Sequence, residues 1–201
     1  KKLVNRYLPQ YSASMSFIIE LWMPILLSAV FVFIASSVIH MVFQGWHASD
    51  CAGLKGEAEV MRALREAGNE PGEYVMPYAP SMKDMESPQF VAKMEEGPVA
   101  RVTIMAGNSF HLSSSLVKWF ILSLVISIIC AYVAQFALAA DADYLLIFRL
   151  TSVVAFCAYS FAHIHKYIWE GATCKATTKY VIDGLIYALL TGGTFGWLMA
   201  A

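Results

Sequence analysis

Four long apolar runs dominate this chain, and each is about the length a helix needs to cross a hydrocarbon layer of roughly 30 Å. They cover residues 21–43, 112–139, 144–168 and 180–200. The first, LWMPILLSAVFVFIASSVIHMVF, holds no acidic, lysine or arginine residue and carries Pro24 in its opening turn, where a missing N–H does no harm. Composition closes off a soluble fold: 58% of the 201 residues are hydrophobic and 14% are charged, against about a quarter charged in an average soluble domain. The expected architecture is an all-α integral membrane protein with four transmembrane helices in two antiparallel hairpins. The AADAD turn is too short to separate spans two and three, and WEGATCKATTK joins spans three and four.

Residues 44–111 are polar and hold five of the seven prolines, the pattern of a small, mostly helical extramembrane domain between spans one and two. GLKGEAEVMRALREAG places Val60, Met61, Leu64 and Ala67 on one helical face and stops at Gly68. Ser81 with Asp84 reads as a capping box for a second helix, DMESPQFVAKMEE, and GPVARVTIMAG alternates as a strand does. So small a segment is expected to pack on the spans or on a partner. Residues 1–20 read as an interfacial tail without a cleaved signal peptide. Tryptophans near the run ends form two expected belts, Trp22 and Trp197 on one side, Trp46, Trp119 and Trp169 on the other.

The phrases WMPILLSAVFVFIASSVIHM, MEEGPV and DGLIYALLTGGTFGW together resemble a family of short four-span bacterial inner-membrane proteins of uncharacterised activity. That resemblance implies the bacterial inner, or cytoplasmic, membrane and supplies no catalytic residue.

A net charge of −1 without a basic stripe leaves nucleic acid out as a partner. No GxSxG, Walker, Rossmann, kinase or HExxH phrase occurs, so a catalytic role finds no support. Four chemical features remain. Four-span topology gathers all five histidines on the domain side, and His40, His47, His163 and His165 are the metal or haem candidates among them, with interfacial hydrogen bonding as the plain alternative. Arg149 and Asp183 lie within apolar sequence and call for partners: Glu20, Asp141 or Asp143 for the arginine, His163, Lys166 or Lys179 for the aspartate. Gly184, Ala188, Gly192 and Gly196 recur every four residues, the small-xxx-small pattern of close helix packing, against this chain or another subunit. Cys51 and Cys174 lie outside the spans on one side. The function expected from these features is a non-catalytic accessory subunit of a larger membrane complex, without a necessary cofactor. Its partners are lipid and other membrane subunits. A metal- or haem-binding redox protein and a small homo-oligomeric transporter or channel are the alternatives.

Overall fold

The structure is a computed structural model that describes residues 16–107 and 111–200. Most of the expected tail, with Lys1, Lys2 and Arg6, lies outside the described residues. In chain order the elements are α1 (Ser16–Glu20), α2 (Trp22–Ser37), a π-helical turn (Val38–Val42), α3 (Gln44–His47), α4 (Glu57–Glu66) and β1 (Gly72–Met76). They continue as α5 (Met82–Met85), α6 (Pro88–Glu96), β2 (Ala100–Ile104), α7 (Leu112–Ala137), α8 (Tyr144–Trp169) and α9 (Cys174–Met199). Four helices, Trp22–Val42, α7, α8 and α9, are long and apolar enough to cross a membrane, as an integral membrane protein requires.

One boundary departs from the sequence reading. The fourth helix starts at Cys174, six residues before the expected residue 180, because the Thr173 hydroxyl caps it by accepting from the Ala176 N–H at 3.2 Å. Its first turns are polar, so hydropathy hides them. Cys174 therefore opens a helix instead of lying in a loop.

The helices meet through small and hydroxylated residues. Helix α9 packs chiefly on α8 and then on α2, while α2 also packs on α7. Ser28 Oγ donates to Ser127 Oγ at 2.9 Å, tying α2 to α7 in the buried centre. The stripe on α9 is buried against α8: Gly184 faces Tyr159 and Ser160, Gly192 faces Phe148 and Ser152, and Gly196 faces Tyr144. A Cβ on Gly192 would overlap Ser152 Oγ and stand 2.8 Å from the Phe148 carbonyl oxygen. The partner of this stripe is thus within the chain. The neighbouring stripe of α9, with Asp183, Tyr187, Thr191 and Thr194, is also buried.

Between α3 and α7 the chain forms a thin unit. Strands β1 and β2 pair antiparallel, Gly72 opposite Ile104 and Met76 opposite Ala100, so the chain is not strictly all-α. The helix expected over DMESPQFVAKMEE is two helices, because Pro88 drives Ser87 into an extended conformation (φ −68°, ψ 140°) and then opens α6 itself. Ser81 caps α5 with its hydroxyl 3.3 Å from the Asp84 N–H. Helix α4 ends on Gly68, whose φ of +67° suits glycine. Leu64, Tyr74, Phe90, Val102 and Ile104 are half-buried, and no residue of α4, α5, α6, β1 or β2 is fully buried. Among the described residues the helices and strands of this unit form no extensive packing on the spans, which leaves a partner as the other expected support.

Candidate metal centre and adjoining cavity

At the end of α2 the helix loosens. The Phe43 N–H bonds to the Val38 carbonyl, a π-type i→i+5 step, and Phe43 then leaves helical geometry. This bend turns the short helix α3 back across α9. It carries Trp46 and His47 onto Asp183, 137 and 136 positions later in the chain.

Asp183 is 2% exposed and its two oxygens are both engaged. Trp46 Nε1 donates to Oδ1 at 2.9 Å, and His47 Nε2 lies 2.8 Å from Oδ2. None of the partners expected for Asp183 touches it directly. Lys179 instead reaches Asp50 Oδ1 at 2.5 Å and Ser49 Oγ at 3.2 Å, and donates to the Trp46 carbonyl. Asp50 closes the ring of contacts, with Oδ2 2.6 Å from His47 Nδ1. Burial resists ionisation of Asp50, but hydrogen bonds and charge from Lys179 and His47 outweigh it and hold its carboxyl below the usual carboxylate range.

His40, His47 and Asp183 place one ligand atom each within 4.8 Å of one another. The orientation of the imidazoles is informative. His40 Nδ1 donates to the Ser36 carbonyl at 3.0 Å, which leaves Nε2 as the lone-pair nitrogen of the neutral ring. His47 Nδ1 faces the Asp50 carboxylate and Nε2 faces Asp183. Metal-bound histidines characteristically give their second N–H to a carbonyl or carboxylate, and both rings have such a partner. The rings of His40 and His47 are stacked, with centroids 4.5 Å apart and planes 13° apart. For one ion to hold both, His40, which is exposed, must turn its Nε2 toward His47.

Of the four histidines expected as ligands, His40 and His47 meet here. His163 is held one ring away: it stacks on Tyr180 at 4.5 Å, and Tyr180 stacks on His47 at 4.8 Å. His165 is exposed and has no part in the cluster among the described residues. Arg149 and Glu20, expected as buried charges, are both exposed and form no ion pair among the described residues. Arg149 sits in the second turn of α8, about 8 Å from its start at 1.5 Å per residue, a distance that places it near the end of the helix. Trp119 and Trp46, read as belt residues, instead hydrogen-bond inward: Trp119 Nε1 donates to Ser36 Oγ at 2.7 Å.

Beside the cluster lies a cavity of about 410 Å³ whose lining includes His40, Asp183, Tyr180 and His163 at one end and Trp119, Tyr159 and Tyr187 along its wall. Trp46, Asp50 and Tyr180 carried no signal of a site in the sequence, since no spacing relates residues 46–50 to residues 179–183. No protein-family model matches this chain, and no curated protein or solved structure is significantly similar to it.

Proposed function

We propose that this chain is a four-span membrane protein, two antiparallel hairpins with residues 44–111 outside the bilayer, that holds a divalent first-row metal ion with His40, His47 and Asp183. The observation that carries it is the convergence of these three residues, each already oriented by a further partner: Ser36 for His40, Asp50 for His47 and Trp46 for Asp183. Two imidazoles and one carboxylate suit the borderline ions zinc, iron, cobalt, nickel and copper. Donors around a tetrahedral zinc at 2.0–2.1 Å stand about 3.3 Å apart, so from a spread within 4.8 Å the cluster closes by at most about 1.5 Å on binding. A bare ion suits the place better than a haem, since the stacked histidine rings leave no slot between them for a macrocycle. The ion's surroundings, with free space beside it and a protein-buried carboxylate, favour a redox or ligand-binding role over a purely structural one. The family resemblance favours the bacterial inner membrane.

Metal analysis of the purified protein, followed by calorimetric titration with Zn²⁺ and Co²⁺ after chelation, tests this. One ion per chain is expected, with affinity falling at least about tenfold in His47→Ala and Asp183→Asn. His165→Ala should leave it unchanged. Equal binding in all three variants would remove the assignment.

A second reading keeps its own support. The unit from α4 to β2 buries none of its residues fully and leaves Tyr78, Met82 and Val99 more than half exposed, which favours an accessory subunit that docks this unit on another membrane protein. The mass of the gently extracted complex decides: a particle no heavier than one chain in its micelle rules that out.

A further inference from the structure

We propose that the cavity binds a lipid-soluble molecule carrying a flat, carbonyl-bearing ring on an apolar tail, the chemistry of a quinone. A volume of about 410 Å³ falls in the range of small-molecule sites, roughly 300–1,000 Å³, which combine apolar walls with a few placed polar groups. The walls here are aromatic. Trp119, Tyr159 and Tyr187 meet with ring centroids 5.5 to 6.0 Å apart, and flat rings present faces and edges suited to another flat ring.

Two hydroxyls of this wall have no partner in hydrogen-bonding geometry among the described residues. Tyr187, one of the residues lining the cavity, is 4% exposed, and its buried hydroxyl has no hydrogen bond among the described residues. Tyr159, 6% exposed, likewise meets no partner in hydrogen-bonding geometry, although Ser123 lies beside it. A buried donor left unmet is costly, and a carbonyl oxygen, which only accepts, is its natural complement.

The route in is from the side. Helices α7 and α8 touch much less than α8 and α9 do, and Leu112 and Leu122 on α7 with Ala158 and Ala162 on α8 are exposed and line the cavity. The small side chains at 158 and 162, one turn apart on α8, leave a gap at a level where a spanning helix meets lipid. A ligand using that gap is one already dissolved in the bilayer, with its ring against Trp119 and Tyr187 and its tail directed outward.

The inference does not depend on the metal centre, so it is tested on chelator-treated protein. The full chain in dodecylmaltoside is titrated with decylubiquinone, and the quenching of tryptophan fluorescence is followed. Saturable binding at one site per chain is expected, weakened about five- to tenfold in the isosteric Tyr187→Phe, as for a single neutral hydrogen bond. In Ala162→Phe, which fills the gap from an exposed position, the saturable component should vanish while the helical circular dichroism is kept. Linear, unsaturable quenching in the wild type, or the same affinity in Tyr187→Phe, would overturn the proposal. So would displacement by palmitate as effective as by the quinone, which would make the cavity a seat for acyl chains without regard to the head.

Discussion

Asp50 and Lys179 are nearly buried, at 7% and 10% side-chain exposure, and form an ion pair at 2.5 Å. Removing one member of such a pair strands the other, which typically costs about 3–5 kcal/mol, whereas replacing both leaves no uncompensated charge. Asp50→Ala is therefore expected to lower thermal stability in detergent sharply. The double variant Asp50→Asn with Lys179→Met should recover much of the loss; a double variant no better than the singles would show that the pair does not act as a unit. Arg149 is the contrasting case. It has no ion pair among the described residues, and Arg149→Leu should fold and melt like the wild type, within about 0.5 kcal/mol. A marked loss of yield would reveal a partner. Isolated charges in apolar sequence looked equivalent by hydropathy, and only their depth and neighbours separate Asp183, which is engaged on both oxygens, from Arg149, which reaches outward.

At the scale of the elements, α9 shows how much a single methyl group weighs. Gly192 faces the backbone of α8 and Gly193 faces open space, with nothing within 4 Å of where its Cβ would stand. Gly192→Ala should destabilise the protein by about 1–3 kcal/mol, the usual cost of overpacking. Gly193→Ala should be neutral or stabilising by up to about 1 kcal/mol through helix propensity. Equal effects of the two, measured by thermal unfolding, would contradict the packing of α8 on α9. Because the stripe is filled by α8, Gly192→Leu is expected to reduce the yield of folded chain instead of releasing monomers from a complex. The four-residue period of that stripe was plain in the sequence. Which helix fills it was not, since any close-packed helix satisfies the same pattern.

For the whole molecule, the proposed topology fixes which thiols water can reach. All four cysteines are free: Cys51, Cys157 and Cys174 are exposed and Cys130 is buried. A charged, membrane-impermeant maleimide added to one side of sealed vesicles should label Cys51 and Cys174 together or not at all. Cys157, in the middle of α8, should resist from either side because its surface meets lipid. Labelling of Cys51 from one side and Cys174 from the other would break the four-span arrangement. What the amino-acid sequence determined by itself is the part set by local physics: four apolar runs of bilayer length, the helix stop at Gly68, the cap at Ser81 and the stripe of small residues on α9. Tertiary structure alone decided the site. Trp46, His47 and Asp50 reach Asp183 and Lys179 only because the π turn at Val38–Val42 folds α3 back over α9. A polar contact between residues more than 120 positions apart leaves no period or spacing in the chain from which it can be read.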